Sequence, residues 1–235
     1  MVTSASQPRE AVASRPIAAP LHLILVLALL GFLAYWGAIH GAQWRESPNP
    51  DRVARYIRTI LQEWAVLAIV LLGVKLSGSS LLTVLGERWR SARQILRDFA
   101  IGVAFLLISV IVVGVIGPIV GMKMDNREVQ FLFPHGRLET FLWFIVAISA
   151  GICEEAVYRG YLQQQFTALT RNTALGIILS AAAFGAAHLY QGLPRAFVIM
   201  VGGIMGGYLA YWRRSVRPGM FAHTLQDLLP LVIKH

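Results

Sequence analysis

The feature that most limits the fold is a series of apolar runs, each approaching or exceeding the length of a membrane span. Seven follow one another along the chain, at residues 21–39, 60–76, 99–121, 138–166, 173–189, 196–212 and 218–233. A helix needs about 20 mostly apolar residues to cross the bilayer hydrocarbon. Because the runs are continuous rather than alternating, they favour membrane-spanning helices over β-barrel strands. The sequence therefore predicts an all-α, polytopic transmembrane helix bundle of about seven spans.

The composition agrees with a membrane protein. Hydrophobic residues make up 56% of the chain and charged residues only 14%, whereas about 25% of the residues in soluble domains are charged. The net charge of +9 comes from basic residues that cluster between the apolar runs, as in loops that face anionic headgroups. We therefore expect membrane lipids as partners and no nucleic acid.

Three segments are expected to make up one integral membrane domain. Residues 1–20 are polar and predict a flexible N-terminal tail, residues 21–137 hold the N-terminal transmembrane helices and loops, and residues 138–235 form a C-terminal core. Within the second segment, Leu81–Arg97 has apolar residues at helical spacing and four arginines. This pattern predicts an amphipathic helix on the membrane surface, with an ordinary solvated loop helix as the alternative.

The stretch Gly151–Leu162 places two adjacent carboxylates and an arginine inside an otherwise apolar helix. Ionisable groups at that depth are costly and usually mark function. Glu155 and Arg159 are four residues apart, in the favourable order for a helical ion pair. Glu154 lies about 100° round the helix from Glu155, on the face that it shares with Tyr158. We therefore expect one structural carboxylate and one free carboxylate.

Two further pairs of residues place polar side chains inside the apolar runs. Phe184 and His188 end the fifth run, and His223 and Asp227 begin the seventh. Each pair is spaced by four, so its side chains share a helical face. A lone histidine in a span is commonly a hydrogen-bonded packing residue, but three polar elements together predict a shared polar cavity that also contains Glu154.

The geometry sets one condition on this convergence. His188 lies at the far end of a helix that starts at Thr173, whereas Glu154 and His223 lie deeper or nearer the other face. The fifth helix must therefore tilt, extend past Gly192 or break.

These side chains are suited to hydrolysis. Glu154 can act as a general base, His188 can position the water, and His223 with Asp227 can stabilise an oxyanion. Glu154, His188 and His223 could instead hold Zn²⁺ with an open position for water. The sequence has no HExxH motif and no serine elbow, and Cys153 is interpreted as a packing residue. The spacing leaves metal-free and metal-assisted water open.

The three motifs resemble those of the CPBP family, which includes the type II CAAX prenyl endopeptidases and the Abi bacteriocin-processing proteins. They are Glu154-Glu155-x-x-x-Arg159, Phe184-x-x-x-His188 and His223-x-x-x-Asp227. The resemblance covers residues 138–233. It implies an α-helical intramembrane endopeptidase whose catalytic core lies within residues 138–235.

The resemblance also implies a role for each matched position. Glu154 would be the water-activating base and His188 its partner, while Glu155 and Arg159, with Tyr158 and Phe184, would support the site. His223 and the residue at 227 would stabilise the oxyanion.

Position 227 departs from part of the family. Eukaryotic prenyl proteases have Asn where this chain has Asp227, so Asp227 is either protonated, orients His223 or helps to hold a metal. The family is often labelled metalloprotease, and a metal-free glutamate mechanism is also held for its prenyl-protease members. The cofactor therefore stays open between a divalent metal such as Zn and none.

The expected substrate is a peptide or a membrane-anchored protein, prenylated or not, and the expected location is the bacterial inner membrane, as a multi-pass protein. Two other functions are considered. A non-catalytic scaffold or bacteriocin-immunity protein could retain the polar cavity. A proton-coupled transporter could also use buried Glu and His, but it commonly has internal repeats, and no repeat relates the two halves of this sequence.

Overall fold

The structure is a computed structural model that describes residues 15–47, 51–123 and 127–232. These residues form nine α-helices with short 3₁₀ and π segments, and the described chain contains no strand, which confirms the all-α prediction. The helices are α1 (Pro20–Glu46), α2 (Arg52–Leu76), α3 (Leu82–Leu85), α4 (Ala92–Ile119), α5 (Gly136–Glu154), α6 (Gln163–Thr170), α7 (Thr173–Ala187), α8 (Leu193–Arg213) and α9 (Arg217–Val232).

Five helices are long and apolar enough to cross a membrane: α1, α2, α4, α8 and the continuous helix Gly136–Thr170. The remaining two predicted spans correspond to α7, with 15 residues, and α9, with 16. The prediction of about seven spans is compatible with this set. On α4, Leu107, Ile111 and Val115 are each at least 60% exposed, and a continuous apolar face of this kind marks contact with lipid. The protein is an integral, multi-pass membrane protein.

The segment from Leu81 to Arg97 is not the single amphipathic helix that its spacing predicts. The helix α3 has only four residues and ends at Gly86, whose φ of +82° favours glycine. After an irregular segment, Ser91 caps α4 by accepting a hydrogen bond from the backbone N–H of Gln94. Arg93 and Arg97 therefore belong to the first turns of α4, which begins seven residues before the predicted span at 99–121.

The prediction of a flexible tail over residues 1–20 is wrong for its last part. Residues 1–14 lie outside the described residues. Ile17 and Ala18 are buried, and Gln165 holds their backbone. Its Oε1 accepts hydrogen bonds from both N–H groups, at 2.8 and 3.3 Å, and its Nε2 donates to the Ala18 carbonyl oxygen at 3.0 Å. A buried side-chain amide thus anchors the start of α1 to α6.

A π-helical segment, Glu155–Leu162, joins α5 to α6 and lies at the centre of the molecule. Its wider hydrogen-bonding pattern is shown by the backbone N–H of Gln163, which donates to the carbonyl oxygen of Tyr158, five residues earlier. All eight residues of the segment are buried. The helices α2, α7, α8 and α9 contact it. Such π segments are rare and frequently coincide with functional sites.

The glycines of α8 allow it to pack closely against its neighbours. A Cβ atom on Gly207 would lie 2.9 Å from Ile177 Cγ2 of α7, and one on Gly203 would lie 3.2 Å from the Cα of Ala181. A Cβ on Gly202, in contrast, would meet no atom within 4 Å. The close contact therefore uses Gly203 and Gly207, while Gly202 faces open space.

This difference predicts that Gly207→Leu destabilises the fold and that Gly202→Leu does not. The larger side chain at 207 must displace α7, at a cost of about 1–3 kcal/mol of unfolding free energy. Thermal unfolding of the purified protein in detergent measures both variants. Equal unfolding midpoints for the two variants would contradict this packing of α8 against α7.

Candidate active site

Glu155 and Arg159 form a buried ion pair at the start of the π segment. Their Oε1 and Nη1 atoms are 3.2 Å apart, and the two side chains are only 5% and 4% exposed. The guanidinium also lies over the ring of Phe184, 4.1 Å from its centroid. Gly219 of α9 fits this arrangement, since a Cβ atom there would lie 2.7 Å from Glu155 Oε2. The predicted pair is thus present, and it is enclosed by α7 and α9.

His223 lies between three carboxylates. Its Nδ1 is 3.3 Å from Glu155 Oε1, and its Nε2 is 3.6 Å from both Glu154 Oε2 and Asp227 Oδ2. The first distance is a hydrogen bond, and the other two are longer ionic contacts. Because both ring nitrogens face carboxylate oxygens, only the imidazolium form can donate in both directions. Residues from α5, the π segment and α9 therefore meet at one imidazole.

Glu154 differs from Glu155 in having no hydrogen bond from the protein. Its Oε2 is buried, and no described residue lies within hydrogen-bond distance of it. The carboxylate lines a cavity of about 560 Å³ whose wall also includes Tyr158, His188, His223 and Asp227. Buried polar atoms almost always have a partner, so this oxygen requires water or a substrate group.

A second cavity, of about 240 Å³, lies on the other side of the same residues. His188, His223 and Asp227 line both cavities, whereas Glu155 and Arg159 line only the smaller one. The histidines and Asp227 therefore form the wall between two spaces, with Glu154 facing the larger.

His188 lies where α7 breaks. The helix ends at Ala187, a 3₁₀ turn covers Leu189–Gln191, and Gly192 has a φ of +100°. Nδ1 of His188 is 2.9 Å from the carbonyl oxygen of Phe184, so this nitrogen donates and Nε2 remains as an acceptor. Of the three possibilities for the fifth helix, which are tilting, extension past Gly192 and a break, the structure shows a break. His188 lies in the wall of the cavity that contains Glu154.

No direct hydrogen bond joins His188 to Glu154 among the described residues. Phe184 makes edge-to-face contacts with Tyr158 and His188, with ring centroids 5.0 and 4.7 Å apart. It thereby orients the imidazole rather than contacting Glu154. A hydrogen-bonded connection between His188 and Glu154 requires a bridging water or a substrate group. Beside this histidine, burial raises the pKa of the Tyr190 phenol, which keeps that hydroxyl neutral.

Glu63 of α2 belongs to none of the three sequence motifs, yet its carboxylate lines the same cavity as Glu154. Glu63 Oε2 is also buried and has no hydrogen-bond partner among the described residues. The neighbouring Trp64 fixes the register of α2, because its Nε1 donates to Ser149 Oγ of α5 at 3.0 Å. The cost of an ionisable residue inside an apolar run was the signal that could have identified Glu63.

The described residues do not offer a metal ligand set. No group of three or more His, Cys, Asp or Glu side chains in this part of the chain is arranged to hold a metal ion. Of the three candidate ligands, His223 faces carboxylates with both nitrogens and His188 donates through Nδ1. Only Glu154 and His188 Nε2 keep free lone pairs, so the candidate set does not fit a zinc site.

The buried pair predicts a large cost for removing either partner alone. Arg159→Met leaves the charge of Glu155 uncompensated in the core, and we expect a loss of about 3–5 kcal/mol of unfolding free energy. Adding Glu155→Gln to this variant removes the orphaned charge and should recover part of the loss. Thermal unfolding of the two single variants and the double variant measures the coupling. Additive losses would mean that the pair contributes no coupling.

Comparison with known proteins identifies the part of the chain that contains this site. A family model described as type II CAAX prenyl endopeptidase Rce1-like matches residues 136–229. No curated protein and no solved structure matches the chain. The matched residues begin with α5 and end within α9, so they include Glu154, His188, His223 and Asp227. Over residues 136–229, the chain is therefore similar to the Rce1-like type II CAAX prenyl endopeptidases, a family of membrane proteases.

Proposed function

We propose that the protein is an intramembrane endopeptidase that hydrolyses a peptide bond in the 560 Å³ cavity with a water activated by Glu154. One contrast supports this assignment above the others. Of two adjacent carboxylates, Glu155 is held through Oε1 by Arg159 and His223, whereas Glu154 is partly exposed at the cavity wall and its buried Oε2 has no hydrogen-bond partner among the described residues. A structural carboxylate needs partners, while a general base needs a free lone pair that faces the substrate.

In the proposed reaction, Glu154 accepts a proton from the attacking water as its oxygen adds to the carbonyl carbon of the scissile bond. The tetrahedral intermediate then collapses, the C–N bond breaks, and the proton held by Glu154 passes to the leaving nitrogen. Glu154 is thereby returned to its ionised form, so one water is consumed and no other reactant is needed. The chemistry uses only groups of this chain.

The developing oxyanion needs donors near Glu154. His223 Nε2 is the nearest described cation to the Glu154 carboxylate, at 3.6 Å, and a charged donor there stabilises negative charge in a site of low polarity. Asp227 contacts the same nitrogen and only accepts hydrogen bonds when ionised. We therefore assign Asp227 to orienting His223, and we assign His188 Nε2 to binding the water or the substrate amide.

The proposed substrate is a peptide or a membrane-anchored protein with an apolar segment. The lining of the cavity includes Leu30 and Leu33 of α1 and Val66 of α2, and these side chains suit an apolar segment better than a polar one. We place the enzyme in the bacterial inner membrane because of its short loops and its multi-pass architecture.

Glu154→Gln should reduce cleavage by a factor of about 10²–10⁴, the usual contribution of a general base. Glutamine keeps the shape of the side chain but has no basic carboxylate. The measurement is cleavage of a membrane-peptide library by the purified protein, with Glu87→Gln as the control because Glu87 is exposed. Chelator should leave the rate unchanged. Cleavage that survives Glu154→Gln would refute this base, and a non-catalytic scaffold would show no cleavage by either protein.

Asp227→Asn should retain more activity than Asp227→Ala. The 3.6 Å contact of Asp227 with His223 Nε2 is longer than a hydrogen bond, and catalytic contacts of this kind shorten in the complex with substrate. The amide oxygen of asparagine can still accept from Nε2 there, whereas alanine leaves the imidazole without this partner. A hydrogen bond to a charged group contributes about 1.5–3 kcal/mol, so we expect the alanine variant to lose roughly 10- to 150-fold in kcat/KM. Steady-state cleavage rates measure the order of the two variants. Equal losses would remove the orienting role.

A further inference from the structure

The cavity that contains Glu154 has an arginine in its wall, about two helical turns along α2 from Glu63. Arg55 lines this cavity. Its guanidinium carbon lies 4.6 Å from the ring centroid of Trp44 and 4.9 Å from that of Phe131. Cation–π contacts of this kind hold a guanidinium in place while leaving its in-plane N–H donors available. Arg55 is therefore a rigid cation rather than a flexible surface side chain.

One donor nitrogen of Arg55 is not used by the described residues. Its Nη1 is buried and has no hydrogen-bond partner among the described residues. The neighbouring Arg52 lies 4.0 Å from Glu139, and Asp51 accepts the helix-capping hydrogen bond from Ala54 at 3.0 Å. Asp51, the carboxylate nearest to Arg55 in sequence, and Glu139 thus have other contacts, and Arg58 adds a second positive charge to the lining of the cavity.

Charged side chains of both signs line the cavity. The carboxylates are Glu63, Glu154, Asp227 and the exposed Asp51, and the arginines are Arg55 and Arg58. Arg55 and Glu63 are eight residues apart on one helix, which corresponds to about 12 Å along the axis. A peptide in extended conformation covers that distance with roughly three or four residues.

We infer that Arg55 binds a carboxylate of the peptide substrate and thereby positions the scissile bond at Glu154. A guanidinium and a carboxylate form a bidentate, charge-assisted pair of hydrogen bonds, and an extended peptide can span the distance between Arg55 and Glu63. This inference rests on the proposed function, because it requires a peptide in the cavity. The carboxylate is either the free C-terminus of the substrate or an acidic side chain, and the same guanidinium recognises both.

The test measures binding rather than cleavage, so that it is independent of the proposed chemistry. The Glu154→Gln protein in detergent is titrated with dansyl-labelled octapeptides of Leu and Ala. One peptide ends in a free carboxylate, one ends in an amide, and one ends in an amide and carries a single Asp. We expect the free acid, the Asp peptide or both to bind roughly 10- to 100-fold more tightly than the neutral amide, as for charge-assisted hydrogen bonds. Comparison of the two charged peptides identifies the source of the carboxylate.

Arg55→Gln should remove this preference and leave the Kd of the neutral peptide unchanged. Arg55→Lys should keep part of the preference because it keeps the charge, and Arg93→Gln should keep all of it, because Arg93 is exposed on α4. If Arg55→Gln no longer binds the neutral peptide, its fold has changed, and the Arg55→Lys result decides instead.

The inference is overturned if the protein with native Arg55 shows no preference for a carboxylate, or if the preference persists in Arg55→Gln. Where Arg55→Gln no longer binds the neutral peptide, the inference is overturned if Arg55→Lys keeps the full preference. Failure of the proposed function has a different signature. In that case the carboxylate preference is present and depends on Arg55, while the protein with native Glu154 does not cleave the bound peptide.

Discussion

The buried pair of Glu155 and Arg159 is the interaction on which the site depends. Two charges at the centre of a membrane protein are tolerated only when each compensates the other. The pair is surrounded by Phe184, by Gly206 of α8 and by Gly219 of α9, so it joins the π segment to three other helices. His223 completes it by bonding to Glu155. Glu155 is engaged in this network through Oε1, while its neighbour Glu154 faces the large cavity.

The π segment explains how two adjacent carboxylates can have such different surroundings. In a regular α-helix, neighbouring residues are separated by about 100°. The wider turn begins at Glu155, immediately after Glu154, and returns to α-helical geometry at Gln163. The change of helix type lies at the junction between the two residues. One carboxylate is enclosed by the core, and the other is in the cavity wall. A similar irregularity, the break of α7 at His188, brings the second motif to the same wall.

The lining of the cavity extends beyond the residues that match the family model. Residues 136–229 contain the four proposed catalytic residues, but α1 and α2 supply many of the other residues that line the cavity. Glu63 adds a carboxylate to the lining of the cavity, and Arg55 adds a cation. The N-terminal helices, which have no motif of their own, therefore contribute to the polarity of the cavity and to its apolar lining. The chemistry and the recognition of the substrate are in this way divided between the two halves of the chain.

The sequence by itself determined the class of the fold and the motif residues, because apolar runs and the cost of intramembrane charges are local properties. It predicted the all-α membrane architecture and the Glu155–Arg159 pair, and spacing alone placed each motif on one helical face. Only the tertiary structure decided that Leu81–Arg97 is interrupted at Gly86, that Ile17 and Ala18 are anchored by Gln165, and that Glu63 shares the cavity of Glu154. The anchoring by Gln165 and the shared cavity depend on contacts between segments far apart in the chain, and periodicity along one helix does not report which side chains of another helix lie near it.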